Sequence, residues 1–200
     1  MIMRFWLLAL LGITAIHAAP GAAPEGAPGV AERMKVENLD KLSIYDAAVL
    51  KLRAGKQLTE KEIDECDVKF RAYFDELAEK NGVRDNAQFP QDDQFDFYVT
   101  AVKLALIDFP DHGGWPFRST LRLTVQETLK ERTENTEDSF LLFCAIFPSL
   151  SKGDVEHAAL CYKKLRKSDE FLTKTTDGWL AEFFLNEKVK ADFKKAAGIE

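Results

Sequence analysis

The sequence has few of the residues and spacings that carry catalysis or metal binding. Its 200 residues contain three cysteines and three histidines. None of them forms a Cys-x-x-Cys or His-Glu-x-x-His motif, the short patterns typical of redox and zinc sites. There is also no Asn-x-Ser/Thr sequon, so we expect no N-glycosylation. The sequence therefore indicates no reaction directly, and we predict no catalytic residue, cofactor or metal.

The chain also lacks an uninterrupted apolar run long enough to cross a bilayer, which takes about 20 residues. Beyond the N-terminal region its longest run is FLLFCAIF, at Phe140–Phe147, and Pro148 follows it. Ile146 is the only β-branched residue in this run, so its composition favours a helix over a strand. Because a helix that is apolar all round must be surrounded by other elements, we predict a fully apolar central helix at about 137–147, ended by Pro148.

The N-terminus has the pattern of a secretory signal peptide. Arg4 precedes the almost wholly apolar stretch Phe5–Ile16, and small residues follow at Ala18 and Ala19. A basic start, an apolar run of about a dozen residues and a small-residue exit are the parts of such a signal. We predict a signal peptide at 1–18 and a secreted, extracellular protein. An uncleaved membrane anchor is the alternative.

Two regions follow the predicted cleavage site. Residues 19–37 are rich in Pro, Ala and Gly and bury too little surface to offset the entropy of ordering, so we predict a flexible leader. Residues 38–200 have the length of one ordinary domain. Loss of Arg4, the only charged residue of 1–18, changes the formal net charge from -6 to -7. Such an acidic chain is a poor candidate for nucleic acid, and we predict no nucleic-acid partner and no transmembrane segment in the mature chain.

Apolar residues recur at three- and four-residue spacing along most of 38–200, and no segment has the pattern of a strand. We therefore predict an all-α fold, a single compact bundle of about seven helices. The most specific local signal is Thr59 with Glu62, which match a capping box. The helix that this box begins lies at about 60–81. Besides the central helix, three more lie at about 39–54, 93–108 and 116–132, and another runs from Leu150-Ser151 to 167 with Asp154 in its first turn. A short helical turn capped by Ser168 follows, and the last helix lies at 178–197, after a turn at Thr176-Asp177-Gly178.

The segment LTEKEIDECDVKFRAYFDEL, residues 58–77, resembles the entering helix of an EF-hand. The resemblance covers that helix alone. A calcium loop beginning at Asp75 needs an oxygen ligand where Leu77 stands and glycine where Lys80 stands. The resemblance therefore implies no calcium site in this chain.

Two groups of residues are candidates for chemistry, and each has a simpler explanation. Ser149 and Lys152 match the Ser-x-x-Lys motif of penicillin-binding enzymes, but the accompanying Ser-Asp-Asn and Lys-Thr-Gly elements are missing. Helix capping explains this match better. Cys66, Cys144 and Cys161 form an odd set, which leaves at least one thiol unpaired. The sequence leaves their disulfide pairing open, although core positions such as these suit thiols that act as small hydrophobes.

Candidate partner contacts lie in the loop between the third and fourth predicted helices. The stretch DHGGWPF contains His112, Trp115 and Phe117, and large aromatic residues on loops framed by helices are frequent binding anchors. The alternative is that Trp115 covers the core of its own bundle. The other histidine of the mature chain, His157, lies in an ordinary amphipathic helix, and we assign it no function.

Two functional hypotheses from different classes follow. The first is a secreted, non-catalytic helical protein that acts by binding another protein, as effectors, inhibitors and extracellular ligands do. The second is a carrier that holds a hydrophobic small molecule or lipid in a helical cage, because the chain is rich in phenylalanine, with 15 residues. An enzyme comes third, because no site can be named.

Overall fold

The computed structural model describes residues 43–108, 120–183 and 187–199. Within these ranges the chain forms eight α-helices and one short 3-10 turn, with no strand, so the predicted all-α class is confirmed. The predicted signal peptide (1–18) and leader (19–37) lie outside the described residues. The helices are α1 (Ile44–Arg53), α2 (Glu60–Asn81), α3 (Gln91–Asp108), α4 (Thr120–Glu134), α5 (Ser139–Lys152), α6 (Val155–Ser168), α7 (Glu170–Phe183) and α8 (Glu187–Ala197), and the 3-10 turn is Asn86–Gln88.

The start of α2 has the predicted capping box. The Thr59 side chain accepts a hydrogen bond from the backbone N–H of Glu62, and the Glu62 carboxylate accepts one from the backbone N–H of Thr59 at 2.8 Å. These bonds satisfy two of the donors that a helix N-terminus leaves open. Leu58 and Ile63 flank the capping box at the positions of a hydrophobic staple, and both are buried. Helix α2 then continues through Asp75 without a break to Asn81, and Gly82 caps its C-terminus in the left-handed backbone conformation.

Helix α5 extends further than the sequence predicts. Pro148 does not end it: the helix spans Ser139–Lys152, with Pro148 inside and Gly153, at φ 83°, as the C-cap. Proline removes one backbone donor and normally disrupts a helix interior at a cost of about 3 kcal/mol. Here the residues on both sides of it, Phe147 and Ser149, are buried. The burial of the continued helix offsets the local penalty.

The boundaries of α6 and α7 also differ from the predictions. Asp154 does not stand in the first turn of α6 but is its N-cap, and its side chain accepts a hydrogen bond from the backbone N–H of His157. Ser168 does not cap the next helix, because it is the last residue of α6. The expected turn at Thr176-Asp177-Gly178 is helical. Thr176 donates its hydroxyl to the carbonyl of Leu172 at 2.8 Å, which keeps its polar side chain satisfied within the helix.

The helices enclose one connected hydrophobic core. Helix α5 packs against α3, α4, α6 and α7, while α8 packs on α6 and α1 packs on α3. Aromatic rings join α2 to α3, with Phe70 stacked on Phe97 at a centroid distance of 5.0 Å. A second aromatic group joins α5 to α7, where Trp179 lies 5.3 Å from Phe143 and 5.4 Å from Phe147. In the part of the chain that the structure describes, no helix has the length and hydropathy to cross a membrane.

Candidate functional site

A cluster of polar side chains lies inside this apolar core. It consists of Thr133 from α4, Ser149 from α5, and His157 and Cys161 from α6, and we call it the His157 centre. The exposed fraction is 6% for His157 and 0% for the other three side chains. Polar groups that are removed from water must find hydrogen-bond partners inside the protein. The hydrogen bonds within this cluster therefore indicate which atoms of His157 carry a proton.

The local structure of α6 places His157 in the centre. Asp154 caps the helix and receives the backbone N–H of His157 at 3.3 Å, which fixes this residue in the first turn. Residues four apart lie on the same face of a helix, so Cys161 follows His157 toward the core. The turn at Gly153 and Asp154 reverses the chain and brings Ser149, near the end of α5, against the same imidazole.

The hydrogen bonds indicate one tautomer of the imidazole. Thr133 Oγ1 lies 2.6 Å from the carbonyl oxygen of Leu129 and donates its only proton there. It must therefore accept from His157 Nε2, at 2.9 Å. This leaves Nδ1 as an acceptor, and Ser149 Oγ donates to it at 2.8 Å. The sulfur of Cys161 lies 3.4 Å from Nε2 and is a second contact of this nitrogen beside Thr133.

Burial sets the charge of the centre. Removal from water disfavours the imidazolium and lowers the pKa of His157 below its ordinary value, and the nearby Asp154 carboxylate only partly opposes this effect. Burial also raises the pKa of the Cys161 thiol to about 11. At neutral pH the centre therefore contains a neutral imidazole and a neutral thiol, with every member hydrogen-bonded.

The pairing of Ser149 with His157 has the geometry of a nucleophile and its base. A base that accepts the serine proton at 2.8 Å is close enough for proton transfer. However, Ser149 is fully enclosed, and a substrate cannot reach its hydroxyl in this conformation. The Ser-x-x-Lys match thus places its first serine in a buried network with a histidine. In this arrangement the centre can link three helices through hydrogen bonds, and its imidazole can gain or lose a proton.

A second buried polar contact joins α2 to α4. The Arg122 guanidinium lies 2.5 Å from the Asp67 carboxylate, with side chains that are 7% and 14% exposed. Burial raises the pKa of the neighbouring Cys66 thiol to about 11, which keeps it protonated. Arg122 also borders a small cleft whose enclosed space is about 20 Å³, room for about one water molecule. The cleft is lined by Phe70, Ala101, Leu104, Ala105, Arg122, Val125, Pro148 and Ser151.

The structure assigns places to some of the predicted site residues and not to others. His112, Trp115 and Phe117 lie outside the described residues. Cys66, Cys144 and Cys161 are all free and buried, so the thiols act as core residues. The described helices contain no group of three or more histidine, cysteine or acidic side chains placed to hold a metal ion.

Sequence reasoning missed the His157 centre. Thr133 and Ser149 lie 24 and 8 positions before His157 in the chain, and no short motif joins the three residues. The available signal was local: Ser149 continues an apolar run, and His157 and Cys161 share one helical face. No protein-family model, no curated protein and no solved structure matches the chain.

Proposed function

We propose that this is a secreted, non-catalytic helical protein that acts by binding another protein. Export is inferred from Arg4, the apolar stretch Phe5–Ile16 and the small residues at the predicted cleavage site. Residues 19–37 then connect the new N-terminus to the helical domain as a flexible leader. An extracellular location exposes the mature surface to other proteins.

The observation that supports a non-catalytic role is the enclosure of the Ser149–His157 pair. This pair has the geometry of an activated nucleophile, and its hydroxyl is fully buried. The cysteine thiols are enclosed as well, and burial raises their pKa values, which keeps them unreactive. Chemistry-bearing groups therefore serve the core, and binding takes place at the outer surface.

We assign the partner contact to the loop residues His112, Trp115 and Phe117. Tryptophan is enriched among the residues that dominate binding energy. Glycines such as Gly113 and Gly114 permit backbone dihedrals that other residues rarely adopt, and proline, here Pro116, restricts the backbone. Truncation of such an anchor typically costs about 2 kcal/mol of binding energy or more.

The cleft beside Arg122 does not support the carrier hypothesis. Pockets for drug-sized ligands enclose about 300–1,000 Å³, whereas the cleft beside Arg122 has about 20 Å³ of enclosed space. The apolar residues that line it are also in contact with the rest of the core. A lipid would need a cavity more than ten times larger than this cleft.

We further propose that α5 is the central helix around which the bundle is organised. All ten residues from Leu141 to Leu150 are buried. Four other helices pack against α5. An element that is apolar on every side contributes most of its stabilisation through burial, so its loss should unfold the domain.

The binding function is tested by identifying the protein that crosslinks to the secreted protein and any lipid that the purified protein retains. The mature protein, labelled with a photo-crosslinker, is exposed to the extracellular fluid into which it is released, with excess unlabelled protein as competitor. We expect one saturable protein adduct. Mass spectrometry of lipid extracts from the purified protein provides the second result: a stoichiometric lipid, without a protein adduct, would favour the carrier and refute this proposal.

A further inference from the structure

The His157 centre has a feature that binding does not require: a titratable group sealed at the junction of three helices. The imidazole of His157 on α6 is hydrogen-bonded to Thr133 on α4 at 2.9 Å and to Ser149 on α5 at 2.8 Å. In this arrangement Nδ1 must accept a hydrogen bond from the Ser149 hydroxyl. A second proton on the imidazole is therefore incompatible with the hydrogen bonds as they stand.

We propose that the His157 centre is an acid-sensitive latch that holds α4, α5 and α6 together while the imidazole is neutral and releases their junction when it gains a proton. The neutral ring accepts from Ser149 and donates to Thr133, so it links all three helices. The protonated ring loses the bond from Ser149 Oγ–H and carries a charge in an enclosed site. A buried charge is costly unless an opposite charge pairs with it, and the hydrogen-bond partners of the ring, Thr133, Ser149 and Cys161, are all neutral. The charged ring therefore moves toward water.

The charged groups around the centre set the direction of that movement. The turn before α6 contributes Asp154, α4 contributes Lys130 and Glu134, and α6 contributes Lys164. Asp154 and Glu134 attract an imidazolium, while Lys130 and Lys164 repel it. Asp154 is bonded to Lys130 at 2.6 Å, and its side chain is 22% exposed. Asp154 also accepts the backbone N–H of His157, so it is a partly exposed carboxylate beside the ring and the partner to which the imidazolium would turn.

The expected pH dependence follows from linkage. Because burial lowers the pKa of His157 in the folded protein, the unfolded chain takes up a proton first, near its ordinary pKa of about 6.5. The contribution of the centre to stability is complete above about pH 6.5 and is lost as the pH falls toward the folded-state pKa. In this window the folding equilibrium constant falls by up to about tenfold per pH unit.

The test compares the urea unfolding of the wild-type chain with that of His157→Gln and His112→Gln between pH 7.5 and 5.0. We expect the wild type and His112→Gln to lose stability together below about pH 6.5, and His157→Gln to lose less over the same range. Carboxylates also titrate in this range, so the difference between variants is the measured quantity. An equal loss in His157→Gln and the wild type would overturn the latch.

A second measurement decides the matter if His157→Gln does not fold. In the wild-type protein, the imidazole resonances of His157 should titrate below about pH 6.5, and the amide signals of Thr133 and Ser149 should shift with them. Hydrogen exchange, corrected for its intrinsic pH dependence, should lose protection at the α5–α6 junction before it does so in α2. A His157 resonance that titrates at or above that pH, or a loss of protection that is uniform across all helices, would contradict the proposal.

Discussion

Truncation of Phe143 tests whether α5 organises the bundle. The ring is fully buried and lies in edge contact with Phe147 at 6.2 Å and with Trp179 at 5.3 Å. Removal of a buried phenylalanine side chain typically costs about 3–5 kcal/mol, because the lost burial and the residual cavity add. Domains have about 5–15 kcal/mol of stability in total. For a domain of this size each kcal/mol corresponds to about 2–4 °C, so Phe143→Ala should lower Tm by roughly 6–20 °C.

The assay is thermal unfolding followed by far-UV circular dichroism and by the fluorescence of Trp179, whose indole loses a contact in this variant. Phe140→Ala is the matched control from the same helix. Phe140 is only half-buried and stacks on Phe95 at a centroid distance of 4.7 Å, so its truncation should cost less than that of Phe143. A Phe143→Ala protein that melts with the wild type, or above Phe140→Ala, would show that burial in α5 does not control the fold.

Three further predictions concern single contacts. Thr59→Ala removes the capping box of α2 and should cost about 0.5–2 kcal/mol in a urea unfolding curve; an unchanged midpoint would refute the role of the cap. Arg122→Met removes the buried ion pair between Arg122 and Asp67 and should destabilise by about 3–5 kcal/mol, while adding Asp67→Asn should recover part of that loss; a double variant no more stable than the single one would contradict this account. Burial raises the pKa of all four tyrosines, to about 12 for Tyr73 and Tyr162, so the tyrosine contribution to stability should be constant up to about pH 10 and be lost above it; tyrosine absorbance that titrates near pH 10 in the folded protein would refute the burial.

The parts of the fold that depend on neighbouring residues were predictable from the sequence. The capping box at Thr59 needs only Glu62 three residues later, and its hydrogen bonds form within one turn. The helical class follows from the spacing of apolar residues, which each helix carries in its own sequence. Local patterns such as these require no knowledge of the tertiary structure.

The parts that depend on tertiary packing were not predictable in the same way. Pro148 is an unfavourable helix residue, and its tolerance rests on the burial of α5 against four helices. Gly178 suggests a turn, yet the neighbouring Trp179 is buried and the helix continues through it. The His157 centre arises from residues on three helices, so the fold had to be known before the network could be seen.

The binding claim is tested most directly by the affinity of the crosslinked partner for the wild type, Trp115→Ala and Val68→Ala. Val68 is a large apolar residue on α2 with 67% of its surface exposed, which makes it the matched surface control. We predict that Trp115→Ala weakens Kd by about 30-fold or more, the equivalent of about 2 kcal/mol, with an unchanged Tm, and that Val68→Ala binds as the wild type does. A Trp115→Ala protein that keeps its affinity but melts at a markedly lower temperature would contradict the account and identify Trp115 as a part of the core.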